Sequence, residues 1–248
     1  VYIYIYAELI GIRNSRKYEY CVVDEAQDFS LLEYLVLNEL VLRGRFALFG
    51  DLNQSLEKDG VKNWEEIPKV IEDAKSAVKF KLNENYRSTK QIINFANKIL
   101  KPFTKDYLPK SINRVGKEPS EIVFSTKEEM LDTFNNEVSP EVREVGKSIG
   151  VIVFESSSFS LENVKDQMLK MKIDGKVGNF IELNPKEKIS YTPKGVYLMK
   201  SEDCKGLEFS KVYVLGSNLK KIKNFSEARR AFVAVTRAMN ELSVYGVK

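Results

Sequence analysis

Short apolar runs alternating with amphipathic stretches predict an α/β layered fold for this chain. Two of those runs, YEYCVVDE and RFALFGD, end in acids, and α/β sheets place ligand-binding groups just beyond their strands. Composition agrees: 43% apolar and 30% charged residues suffice for a core and are too hydrophobic for disorder. At about 150 residues per domain, 248 residues make one large domain or two small ones.

Taken in order, Tyr18 to Glu25 reads as a buried strand ending in two acids. Ser30 is placed to N-cap the following helix, LLEYLVLNELVL, which stops near Gly44. Arg45 to Asp51 is a second buried strand. After a polar loop with the only tryptophan, Trp64, a short helix covers Ile67 to Ala74. VKFKLNENYRS reads as a strand feeding the helix TKQIINFANKIL, whose start has capping-box spacing (Ser88 with Gln91) and which ends before Pro102. Lys101 to Pro119 is lysine-rich, holds three of the seven prolines and reads as irregular. A strand at Glu121 to Ser125, a helix at Lys127 to Val138, a strand at Gly150 to Ser156 and a helix at Leu161 to Met171 follow. Ile173 to Lys194 is a polar loop or small hairpin. GVYLMK and KVYVLGS are strands, Ser226 to Met239 a helix, and ELSVYG a closing strand. The opening VYIYIY alternates like a strand but is too short to separate strand from buried helix, and its abrupt apolar start suggests a cut through a larger protein.

The sequence has no histidine, which excludes histidine general bases, Ser-His-Asp and Cys-His catalysis, and nearly every zinc site, since two cysteines cannot complete a tetrahedral shell. Cys21 and Cys204 show no metal-type spacing, and so few cysteines suit a reducing cytoplasm rather than a disulfide framework. No apolar stretch approaches the ~18 residues needed to span a bilayer, and the N-terminus lacks the basic region of a signal peptide. The net charge of +4 and pI of 8.8 do not mark a nucleic-acid protein on their own.

Chemistry must therefore rest on carboxylates, amides, arginines, lysines and hydroxyls. In VVDEAQD, Asp24 can hold Mg²⁺ through its water shell, Glu25 can orient or deprotonate a water, and Gln27 can sense a phosphate. An acidic turn after a strand is the plainer reading of that segment alone. LFGDLNQS repeats the design with Asp51 and Gln54. In NENYRST, Tyr86 suits stacking on a base and Arg87 bidentate contact with a phosphate, against the alternative of a surface aromatic beside a solvated arginine. In KGLEF, Gly206 permits close backbone approach, with Lys205 and Glu208 beside it. In FVAVTRAMNEL, Thr236 and Arg237 sit in an otherwise apolar helix, so Arg237 requires an anionic partner. Lys220, Lys221 and Lys223 could meet phosphates, although such a cluster is more often a solvated face.

In this order the five elements resemble the superfamily 1 helicases of the UvrD/Rep type: DEAQD is similar to their motif II, GDLNQS to motif III, ENYRST to motif IV, and KGLEF and AVTRAMNEL to motifs V and VI. Within the superfamily, DEAQDFS, GDLNQ, YRSTKQIINF followed by NRVGKEP, and TRAMNEL resemble the HelD (helicase IV-like) group. The resemblance implies RecA-like P-loop NTPase domains. Residues 1–76 would be the C-terminal part of one, and residues 77–248 a complete second one without a large inserted domain. It implies ATP and Mg²⁺ as cofactors, bound in a cleft between the two domains. Asp24 would hold the metal, Glu25 would activate water, and Gln27 and Gln54 would report the γ-phosphate. Asp51 would link nucleotide to strand binding, Tyr86 would stack on adenine, Arg87 and Arg237 would be arginine fingers, and Glu208 would meet the ribose. DNA, mainly single-stranded, is the implied partner. A polymerase-recycling ATPase that binds RNA polymerase and unwinds little is the alternative.

The sequence departs from the family pattern in three places. No GxxxxGK[ST] phosphate loop occurs in these 248 residues, so it is expected upstream and the chain alone is expected to be inactive. Glu202 stands where motif V usually has histidine. Leu56 and Glu57 follow Gln54 where UvrD-like enzymes carry an aromatic that stacks on single-stranded DNA, which leans toward the polymerase-bound alternative.

Overall fold

The computed structural model describes residues 18–82, 84–104, 108–112, 114–141, 147–170, 172–173, 176–177, 180–183 and 194–248. The VYIYIY run and most of the stretch from Ile173 to Lys194 lie outside the described residues. The chain divides into two units between Leu82 and Asn83.

In the first unit, β1 (Cys21–Val23) and β2 (Phe46–Leu48) are parallel neighbours, with Cys21 opposite Phe46 and Val23 opposite Leu48. Their crossover is α1 (Leu31–Leu40). Its start follows from sequence: Ser30 Oγ accepts from the Glu33 N–H, and the Glu33 carboxylate accepts the Ser30 N–H at 2.7 Å, a complete capping box. The helix ends earlier than its apolar pattern suggests. Val41 turns extended, Leu42–Gly44 forms a 3₁₀ turn, and Tyr18 bridges to Val41. Tyr34, Val61, Ile67 and Ile71 form the core, with Phe46, Leu48 and Trp64 packed against it.

Three expectations are corrected in this unit. The two strands are not buried throughout: Val23 is buried, but Tyr20 and Val22 are 68% and 69% exposed, so side chains alternate between a covered and an open face. Ile67 to Ala74 is not an α-helix but two 3₁₀ stretches, Trp64–Lys69 and Glu72–Ser76; Pro68 lacks the N–H that an α-helical bond needs there. Val78, Phe80 and Leu82 are exposed and join no ladder among the described residues.

The second unit is built on a six-stranded parallel sheet. Its strands are β5 (Ser120–Phe124), β6 (Ser148–Val153), β9 (Ile181–Glu182), β10 (Gly195–Lys200), β11 (Phe209–Leu215) and β12 (Ala238–Val247), in spatial order β5-β12-β11-β6-β10-β9. Before it come β3 (Glu84–Asn85), α2 (Lys90–Leu100) and β4 (Lys110–Ser111), with β3 and β4 paired in parallel. The helices α3 (Lys127–Glu141), α4 (Leu161–Lys170) and α5 (Phe225–Val235) connect sheet strands, while β7 (Lys172–Ile173) and β8 (Lys176–Val177) form a small antiparallel pair. The central strand β6 is buried at every residue, as parallel strands covered on both faces must be. Phe134, Val151, Leu198, Tyr213 and Tyr245 anchor the core.

Here too the sequence reading needs correcting. The last helix stops at Val235 instead of Met239: the Thr236 hydroxyl turns back to the carbonyls of Phe232 and Val233 at 2.8 and 3.0 Å, and β12 begins at Ala238. Arg237 therefore occupies a turn, not a helix. The Ser88–Gln91 capping box does not form, because Thr89 is the N-cap of α2 and both side chains bond elsewhere.

Candidate functional site

Two clusters of the sequence-predicted residues take shape, one in each unit. In the first unit, Asp24 and Glu25 directly follow β1, and Asp51 lies just beyond β2, so the parallel pairing brings both acidic strand ends to the same edge. Gln27, fully buried, ties them together. Its Nε2 donates to Glu25 Oε2 at 2.7 Å, and its Oε1 accepts the Asp51 N–H at 3.0 Å. Asp51 then accepts the Gln54 side-chain amide at 2.9 Å through Oδ2 and caps the Asn53 N–H at 2.9 Å through Oδ1. Asp24 Oδ1 accepts the Glu25 N–H at 2.9 Å. The five polar residues read from the two strand ends thus form one locality, with Glu25, Gln27, Asp51 and Gln54 in a continuous hydrogen-bonded chain.

Two backbone features hold this chain in place. Glu25 adopts the left-handed region, φ 51° and ψ 37°, a conformation that costs an L-residue about 1–2 kcal/mol and tends to cluster at functional sites. Gly50 has no side chain because none fits: a Cβ there would lie 2.8 Å from Trp64 Cη2 and closer still to Gln27 Oε1.

The donor set fits Mg²⁺ in the manner of nucleotide-bound metal. That ion keeps most of its water and needs only one or two protein carboxylates beside phosphate oxygens. Asp24 is exposed and could supply one. Among the described residues there is no cluster of three metal-type side chains that would form an all-protein cage.

In the second unit, Asn85 Oδ1 accepts the N–H groups of both Arg87 and Ser88 at 3.0 and 2.9 Å, an Asx turn that presents Tyr86 and Arg87 outward. Tyr86 is 67% exposed; its hydroxyl donates to Glu84 at 2.6 Å, and that bond raises its pKa. Arg87 Nε pairs with Glu208 Oε1 at 2.6 Å, so the sheet brings together two residues read from separate motifs. Gly206, at φ 80°, makes the turn that delivers Glu208. Arg237 is 2% exposed. Its Nε donates to the Val233 carbonyl at 3.0 Å, Nη1 to the Leu207 carbonyl at 3.3 Å and Nη2 to Thr236 Oγ1 at 3.4 Å. These three bonds go to oxygens of the surrounding turn. Nearby, burial pushes the Cys204 thiol up to about 12, with the Arg237 charge pulling the other way.

Glu202 pairs with Arg230 at 2.6 Å and Lys200 with Glu155 at 2.7 Å, around the carboxyl ends of β10 and β6. Sequence reasoning missed Arg114 and Asn240. The Arg114 guanidinium donates to the Arg87 carbonyl and to Asn240 Oδ1. No local signal marks either residue, since the partners are far apart in sequence.

No family model matches the chain. Among curated proteins, 89 residues (36% of this chain) are 34% identical to the ATP-dependent DNA helicase PcrA of Leuconostoc citreum. A stretch of 87 residues (35% of the chain) is 33% identical to PcrA of Bacillus subtilis, and 96 residues (34%) are 29% identical to UvrD1, an ATP-dependent DNA helicase of Mycobacterium tuberculosis. The match spans 12% of the length of each of these relatives. Among solved structures, the C-terminal domain of a possible DNA helicase from Lactobacillus plantarum aligns over 66% of this chain and 88% of its own, at 24% identity and TM-score 0.45. An arterivirus nonstructural protein 10 (helicase) in complex with DNA aligns over 94% of this chain and 41% of its own, at 15% identity and TM-score 0.48.

Proposed function

We propose that the chain is part of the motor of an ATP-dependent superfamily 1 DNA helicase or translocase, built of RecA-like domains. The observation that carries this reading is the Glu25–Gln27–Asp51–Gln54 chain at the ends of two parallel strands. The similarity to PcrA and UvrD1 supports it. The chemistry is phosphoryl transfer, in which a protein contributes mainly positioning and charge stabilisation.

Glu25 is the general base. Gln27 spends one amide N–H on its carboxylate and so fixes the direction from which a water is received. The same amide accepts the Asp51 N–H, so a change at Glu25 is transmitted to Asp51 and through it to Gln54. Asp24 holds the metal, and bound Mg²⁺ would neutralise charge on the phosphate oxygens. Tyr86 offers an exposed ring for the base. Arg87 and Arg237 stabilise charge on the transferring group, and Glu208 holds Arg87 until it turns to the ribose. The phosphate loop is supplied from outside these 248 residues, and single-stranded DNA is the track. Two unpaired cysteines suit a reducing cytoplasm.

The test is ATP hydrolysis with and without single-stranded DNA, in the protein with its phosphate loop in place. Glu25→Gln should abolish turnover with nucleotide binding retained, and Arg87→Ala should lower kcat by about 10³-fold or more. The 248-residue chain alone should not turn over ATP. Full activity in Glu25→Gln would overturn the reading. The match to PcrA and UvrD1 favours a helicase over a polymerase-recycling ATPase; stimulation by RNA polymerase and not by DNA would reverse that order.

A further inference from the structure

The turn that carries Arg87 is attached to the strand that follows Arg237 by three separate links. Ser88 Oγ donates to the Ala238 carbonyl at 2.7 Å, and the Thr89 N–H donates to the Met239 carbonyl at 3.2 Å. The third runs through Arg114. One arm of its guanidinium takes the Arg87 carbonyl and another takes Asn240 Oδ1, while its own carbonyl accepts the Lys90 N–H at 2.8 Å. The segment bearing Arg114 is itself clamped. The Gly116 N–H donates to Gln91 Oε1 at 2.8 Å, and a Cβ on Gly116 would meet Thr89 Cγ2 at 2.5 Å, so only glycine lets the segment lie this close. Ile112 N–H reaches the Asn85 carbonyl at 3.3 Å on the other side.

From this geometry we infer that Arg114 and Asn240 form a brace that sets the spacing between the Arg87 turn and the strand leaving Arg237. They are positioning residues for the two arginines. A guanidinium suits the task because its planar fork holds two acceptors at a fixed angle, which a lysine ammonium does not. The inference rests on the reading of Arg87 and Arg237 as phosphate-facing groups. Small displacements of such groups lower rates strongly while leaving substrate affinity nearly intact.

Arg114 is exposed, so its truncation should leave the fold standing. The first readout needs no activity: the Arg87 Nε–H NMR signal in the 248-residue chain. Arg114→Ala and Asn240→Ala should each lower its order parameter toward that of a solvated arginine, whereas Asn240→Asp, which keeps the acceptor oxygen, should match the parent. The second readout is hydrolysis in the protein with its phosphate loop, where the two alanine variants should lose about tenfold in kcat at unchanged KM. An unchanged Arg87 signal in Arg114→Ala, or an Asn240→Asp variant as impaired as Asn240→Ala, would overturn the brace. Failure of the functional reading looks different: Arg87→Ala would hydrolyse normally while the NMR response to Arg114→Ala persisted.

Discussion

Replacing Gln27 by glutamate changes one atom type in the buried link between the two strand ends. The new side chain still accepts the Asp51 N–H, but the N–H donated to Glu25 at 2.7 Å becomes a carboxylate oxygen. Two unit charges 4 Å apart repel by about 4 kcal/mol at an effective dielectric of 20. Glu25 is partly buried, so about 2 kcal/mol of the repulsion survives solvent screening, and because position 27 is fully buried the desolvation of its new charge makes this a lower figure. The repulsion raises the pKa of the last proton of the pair above the ordinary glutamate value. The sign follows: a group whose folded pKa is raised contributes stability below its unfolded value and loses it as pH rises through the folded one. Gln27→Glu should therefore match the parent near pH 4, where a shared proton replaces the amide hydrogen, and become less stable by about 2 kcal/mol above pH 6. Trp64 is the only tryptophan and packs against the core of the same unit, so its fluorescence during urea unfolding reports this unit selectively. With a slope of about 1–3 kcal/mol per molar urea, the midpoint should fall by roughly 1 M at pH 7.5 and hardly at all at pH 4. An equal loss at both pH values would refute the placement of Gln27 against Glu25.

Other outcomes follow from the packing and hydrogen bonds of the two units. Gly50→Ala should cost about 1–3 kcal/mol and blue- or red-shift Trp64 emission, because the added methyl collides with the indole and with the Gln27 amide. The Glu155 carboxyl lies below its ordinary 4.5, chiefly through the Leu161 N–H and then Lys200, so the stability it contributes is present above that value and lost as pH falls through the depressed one. Thermal melts between pH 5 and 3 should accordingly fall more steeply for the parent than for Glu155→Gln. Buried Cys204, with its thiol at about 12, should resist alkylation at pH 8 in the native state, while the half-exposed Cys21 reacts first; mass mapping of the labelled peptides decides it.

What could be read from sequence was whatever lies within a few residues along the chain. Ser30 caps its helix as read, and Glu33, three residues on, completes the box. The apolar run at Val151 becomes a strand buried at every residue, the run Val212 to Leu215 is buried in its neighbour, and the two acid-tipped runs at Asp24 and Asp51 become neighbours in one sheet. The limits are equally physical. Ser88 has capping-box spacing, yet its hydroxyl goes to Ala238, 150 residues away, because a tertiary acceptor outcompetes the local one. The Arg114–Asn240 bond spans 126 positions and leaves no periodic trace. The apolar residues before Arg237 carry a helical pattern through it, and only the Thr236 hydroxyl turning back on Phe232 reveals where that helix ends. Alternating apolar residues at Val78, Phe80 and Leu82 carry a strand pattern, but a pattern supplies no partner.

The left-handed backbone at Glu25 sets two kinds of laboratory selection against each other. Glycine or asparagine would relax φ 51° at that position by roughly 1 kcal/mol, but glycine also strips the buried Gln27 amide of its acceptor at a cost of about 1–3 kcal/mol, so a library sorted only for thermal resistance should enrich asparagine, which keeps a polar side chain there, over glycine. A library sorted for nucleotide turnover should discard the same clones. Sequencing the two pools at this one codon would separate residues retained for the fold from the one retained in spite of it.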